Sequence, residues 1–91
     1  MTLPLEKTVL ITNKRGLHAR AAAKFVKLVE TLKADVIVIK DDMSVCGSSI
    51  MGLLMLSASM NTRIRIAVKG ENAVVALREL VNLVERRFDE E

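Results

Sequence analysis

Arg63–Lys69, RIRIAVK, alternates without a break. Ile64, Ile66 and Val68 fall on one face, and Arg63, Arg65 and Lys69 fall on the other. Alternation is the period of a β-strand. One apolar and one charged face mean a sheet that is covered on one side and wet on the other. A doubly covered parallel sheet is excluded, because its strands are apolar on both faces. Every other element must then add a neighbouring strand or a helix for that single covered face.

The chain supplies both. Glu6–Thr12 is rich in β-branched residues and reads as a first strand. Asp35–Lys40 is a second strand, Asp41-Asp42 a turn, and Met43–Cys46 a short third strand. Between the first two, Ala22, Phe25, Val26, Val29 and Leu32 recur at helical spacing, which predicts a helix from His18 to about Thr31. Ser48 and Ser49 are placed to cap a short helix, Ile50–Ser57. With Leu53 and Leu56 facing in, Ile50, Met51 and Leu54 are left partly exposed, and an exposed apolar patch marks an interaction site. Asn72 is placed to cap a last helix running to about Phe88, on Val74, Leu77, Leu80, Val81 and Val84. Asp89-Glu90-Glu91 reads as a solvated tail. The order is β-α-β-β-α-β-α. The fold class is α+β: one antiparallel sheet with helices on one side only. At 91 residues this is a single domain, 1–91, with a modest core.

Charge separates along the chain. Residues 1–34 hold seven Lys/Arg against two Glu, a balance of +5, and residues 35–91 hold seven against nine Asp/Glu, a balance of −2. The positive half suits an acidic partner or an anionic group. A nucleic-acid-binding module using Arg63, Arg65 and Lys69 is the rival reading of that charge. There is no Trp or Tyr, and both Phe residues fall on helical segments, so base-stacking aromatics on strands are missing. No apolar run approaches membrane-spanning length, and no charged-then-apolar leader opens the chain. The one cysteine, Cys46, cannot form an internal disulfide, which fits a reducing cytoplasm; its place in a strand predicts a packed thiol.

The chemistry gathers in Asn13–Lys24, NKRGLHARAAAK. The only histidine, His18, sits where a loop becomes a helix, two residues after Gly16 and two before Arg20. The first N–H groups of a helix have no intrahelical partner, and the dipole there favours negative charge. Such a place binds phosphate, and a guanidinium fork suits phosphate oxygens. A nucleophilic nitrogen inside an anion-binding site describes a histidine that takes up a phosphoryl group and gives it away. Arg20, Lys24 and Lys27 line one stripe of the same helix and predict a docking face for an acidic partner. A pure interaction module with a silent His18 is the remaining rival.

Gly16-Leu17-His18-Ala19-Arg20, followed by Ala21-Ala22, resembles the active-site signature of the HPr family, the histidine-containing phosphocarriers of the bacterial phosphotransferase system. The likeness continues through Ser49-Ile50-Met51-Gly52 to the last helix. It implies strand order 1-4-2-3 in an open-faced β-sandwich. It implies a carrier rather than an enzyme, without cofactor or metal and working as a monomer. It also implies phosphorylation of His18 at Nδ1, with Arg20 steadying the phosphoryl oxygens. Its implied partners are an enzyme I-type donor charged by phosphoenolpyruvate and an enzyme IIA-type acceptor. Ser49 matches the family's regulatory serine, the target of HPr kinase/phosphorylase in some bacteria. Many family members have Pro where Ala21 stands here. Ala21, the Asn13-Lys14 opening and the Arg86–Glu90 ending look more like the nitrogen-type branch, which points to regulation rather than sugar uptake.

Overall fold

The computed structural model describes residues 4–90. Its sheet is built from β1 (Leu5–Leu10), β2 (Asp35–Lys40), β3 (Met43–Cys46) and β4 (Arg63–Lys69). All pairings are antiparallel, in the order β1-β4-β2-β3. The alternation of β4 settles which way each strand faces. Ile64, Ile66 and Val68 are buried, next to Val36 and Val38 of β2 and Val9 of β1. Arg63, Arg65 and Lys69 are exposed on the open face.

Three helices cover the apolar face: α1 (Ala19–Leu32), α2 (Ile50–Met55) and α3 (Ala73–Glu85). Phe25 and Val29 of α1, Leu53 of α2, and Leu80 and Val84 of α3 meet the strands in one core. The α+β class, the strand order and the one-sided cover are therefore as the pattern and the resemblance implied. Among the described residues no helix is long and apolar enough to cross a membrane.

Four local expectations change. Cys46 is exposed rather than packed. The alternation of β3 turns Val45 inward and Cys46 outward, beside Ile37, and hydrogen bonding with Ser48 holds its thiol below the ordinary value. Ser48 is thereby engaged with Cys46, so Ser49 alone caps α2. Asn72 stands at the start of α3 but makes no side-chain cap bond, and Val74, in the first turn, is 67% exposed. In that turn only Ala73 packs against the core, and full burial begins at Ala76.

The largest change is at the end of the chain. The last helix stops at Glu85 instead of continuing to Phe88. Arg87, Phe88 and Asp89 have φ of 60°, 54° and 61°, so they form a left-handed turn. It is closed by Asp89 N–H to Arg86 O (3.1 Å) and Glu90 N–H to Arg87 O (2.9 Å). A non-glycine residue held left-handed costs about 1–2 kcal/mol. The turn swings Phe88 into full burial, which contributes about 1.5–3 kcal/mol. Lys24 of α1 reaches across to donate to Phe88 O at 2.8 Å. Asp89-Glu90 is therefore no solvated tail: Asp89 pairs with Arg86 at 3.0 Å, and Glu90 is half-buried against α1. Glu91 lies outside the described residues.

Candidate functional site

His18 occupies the N-cap of α1 with extended backbone (φ −79°, ψ −179°). The chain arrives there through a tight loop. Gly16 has φ of +63°, and a Cβ on it would lie 2.4 Å from Ala58 O. Leu17 N–H donates to that same carbonyl at 2.8 Å. The loop is thus sewn to the segment after α2 at a distance only glycine permits. Arg15, His18 and Ser57–Ser59 line a shallow cleft of about 160 Å³ at this seam.

The imidazole is held on both sides. Arg20 N–H donates to Nδ1 at 3.3 Å, a long bond. Accepting that bond makes Nδ1 the unprotonated nitrogen, the one that carries a lone pair, in the neutral ring. Nε2 then carries the hydrogen, and it meets Glu90 Oε2. Glu90 is held in turn, because Asn13 Nδ2 donates to its Oε1 at 3.0 Å and to Gly16 O at 2.7 Å. Both neighbours of that amide group are acceptors, which fixes the Asn13 flip. Asn13 is fully buried, so its amide is committed to this job. Burial pushes the Glu90 carboxyl up. The hydrogen bonds from Asn13 and His18, with the attraction of His18 and Lys24, outweigh it, and the group sits below its ordinary 4.5.

The lone pair of Nδ1 faces the start of α1. There the backbone N–H groups of Ala19 and Ala21 have no partner among the described residues. Arg20 is exposed, and its guanidinium makes no bond among them. The His18 side chain is 16% exposed. A nucleophilic nitrogen and free N–H donors thus adjoin one another, with an exposed Arg20 in the same first turn, which is an arrangement suited to an anion such as a phosphoryl group.

The other anticipated residues divide. Ser49 caps α2, its Oγ accepting from Gly52 N–H at 3.0 Å. Ile50 is 41% and Met51 69% exposed, while Leu54 is half-buried. Lys27 is exposed on α1, but Lys24 is half-buried and tied to Phe88 O. α1 and α2 pack together, so the basic stripe and the apolar patch belong to adjoining elements. Ser49 caps the end of α2 opposite the His18 cleft, which is lined by the segment after that helix. The sequence reading missed Glu90 and Asn13. For Asn13 there was a signal, a lone amide at a glycine turn. Glu90 is 72 positions from His18 and had no signal near the histidine; a Phe just before the acidic run Asp89-Glu90-Glu91 was the hint that the end folds back.

A small open-faced sheet with one imidazole at a helix start is the layout of a phosphoryl carrier, and the comparisons agree. The family model PTS-HPr, described as "PTS HPr component phosphorylation site", matches residues 5–86. The phosphocarrier protein HPr of Neisseria meningitidis serogroup A is 42% identical over 86 residues, covering 94% of this chain and 97% of that protein. The phosphocarrier protein NPr of Shewanella violacea is 40% identical over 86 residues, covering 94% of each. Among solved structures, HPr-C-His from Thermoanaerobacter tengcongensis superposes with a TM-score of 0.91 at 38% identity, covering 96% of this chain and 98% of that one. This chain belongs to the HPr family: it is a phosphocarrier of the phosphotransferase system and not a catalytic enzyme.

Proposed function

We propose that His18 carries the phosphoryl group, on Nδ1, between an enzyme I-type donor charged by phosphoenolpyruvate and an enzyme IIA-type acceptor. The observation behind this reading is the pair of bonds on the ring. Arg20 N–H points to the lone pair of Nδ1, while Nε2 faces Glu90. The Nδ1 lone pair forms the new bond to phosphorus as the bond to the donor breaks, and the donor keeps that electron pair. The N–H groups of Ala19 and Ala21 and the Arg20 guanidinium receive the phosphoryl oxygens. Such a site works by position and charge, so a carrier this small suffices.

The partners meet α1 and α2. Lys27, Ile50, Met51 and Leu54 form the docking surface, and Lys24 adds its charge from beneath while it fastens the last turn. Phosphorylation of Ser49 by a kinase regulates this docking. The pathway served is regulatory, of the nitrogen type. The residues of that likeness support this reading, because Asn13 and Glu90 meet at His18, and Ala21 stands in the first turn of the helix that His18 caps.

Incubation with enzyme I and phosphoenolpyruvate, read by intact mass, tests the core of the proposal. The wild type gains one acid-labile phosphoryl group and His18→Ala gains none. Equal labelling of a folded His18→Ala chain would remove His18 from its role.

A further inference from the structure

Glu90 does more than close the chain. The last turn has fastenings besides it, the buried ring of Phe88 and Lys24 on Phe88 O. A carboxylate that served only as a tail would lie in water. This one is half-buried, and a fully buried amide, Asn13, turns one of its oxygens so that the other faces Nε2 of His18. Burying a charge is costly unless it is paired, and the group on the other side is the nitrogen away from the phosphoryl site.

We infer that Glu90 is a positioning residue for the transfer, with Asn13 holding it: it keeps the Nε2 proton in place and balances the charge that the ring acquires when Nδ1 bears the phosphoryl group. This rests on the proposed role of His18. When the neutral ring attacks through Nδ1, its lone pair becomes the N–P bond, and Nε2 keeps its hydrogen. The ring is then an imidazolium and carries one positive charge. When the acceptor attacks phosphorus, the N–P electron pair returns to Nδ1, and the ring is neutral again with its Nε2 hydrogen unmoved. The cationic ring is the better leaving group, because the returning pair neutralises it. Loss of the Nε2 proton from the adduct would make the carrier a sluggish donor.

The charged groups around the ring give Glu90 this part. Arg15 lines the cleft beside His18, Arg20 stands at the start of α1, and Lys24 reaches over from the next turn; all three are cations. They favour the incoming phosphoryl group and disfavour a cationic ring. Asp89 turns away to Arg86, and Glu90 is the carboxylate that faces the ring. An opposite charge within about 4–6 Å favours the charged form of a group by roughly one to three pH units.

The test is the rate of onward transfer from the phosphorylated carrier to an enzyme IIA-type acceptor, followed against pH for wild type, Glu90→Gln and Glu90→Ala. Gln keeps an acceptor for Nε2–H and loses the charge, and Ala loses both. Both variants are expected to accept phosphoryl groups from enzyme I. Their onward transfer falls off at alkaline pH about one unit earlier than in wild type, so rates at that edge differ about tenfold. Where both variants are folded by their amide NMR spectra and their profiles overlay the wild type, Glu90 is only an anchor and the inference is overturned. A shift in Ala but not in Gln also overturns it, because the hydrogen bond alone would then suffice. Should Glu90→Ala unfold, Glu90→Gln decides. A wild type that accepts no phosphoryl group would instead overturn the role of His18, a separate failure seen before any variant is compared.

Discussion

The site depends on single residues whose backbone leaves no latitude. Gly16 combines a left-handed φ of +63° with a Cβ position 2.4 Å from the Ala58 carbonyl. A side chain there must hold a disfavoured backbone, costing about 1–3 kcal/mol, and must also push the segment after α2 away. Gly16→Ala is expected to lower the urea midpoint by more than the backbone cost alone and to slow phosphorylation of His18, since the same carbonyl anchors Leu17. An unchanged midpoint would mean that the loop relaxes without loss. Asn13 works by the same economy. It has one amide group for two acceptors, which ties the loop carbonyl at Gly16 and the end of the chain to one point.

At the scale of elements, α2 is the least self-sufficient. It spans six residues, Ile50–Met55, and buries Leu53 alone among them. Its start depends on the Ser49 cap, and losing such a cap costs about 0.5–2 kcal/mol. Asp is as good a cap as Ser, so Ser49→Asp keeps the helix and adds a negative charge beside exposed Ile50 and Met51. Met51→Glu adds one in the patch itself. Both are expected to weaken binding to the enzyme I partner while thermal melting stays close to wild type, and a calorimetric titration of each folded variant checks this. Wild-type affinity in both would move the docking surface off α2. On α1, Lys27→Glu is the clean probe of the basic stripe, because changing Lys24 would also free the Phe88 carbonyl.

Across the whole molecule, the two ends of the chain's chemistry are brought together by one turn. The core holds Phe88, the turn carries Glu90 to His18, and Asn13 locks it there. The Glu90 carboxyl sits below its ordinary value of 4.5. Its contribution to stability is therefore complete above the unfolded value and is lost as the pH falls through the folded one. Acidification below about pH 4.5 is expected to loosen residues 87–90 before the sheet. Amide exchange measured down that range should show the last turn losing protection first, and Glu90→Gln should show the loosened turn already at neutral pH. Loss of protection in β4 at the same pH as in the last turn would show that the turn is no separate unit.

Local repetition along the chain is enough to encode which faces are buried. The alternation of Arg63–Lys69 does this for the sheet, and the helical spacing of Ala22, Phe25, Val26 and Val29 does it for α1. The loop-to-helix junction at Gly16–Arg20 likewise marks His18 as the group to watch, because its signal lies within five neighbouring residues. The strand order came with the family resemblance, because alternation says which face is wet and is silent on which strand lies beside which. The rest depends on contacts between distant parts of the folded chain. The exposure of Cys46 follows from its pairing beside Ile37, and the engagement of Lys24 follows from where Phe88 lands. Glu90 reaches His18 because the burial of Phe88, the hydrogen bonds that close the turn and Lys24 on Phe88 O together hold three residues left-handed. No window of neighbouring residues contains both halves of that balance, so the second partner of the imidazole could be found only in the folded chain.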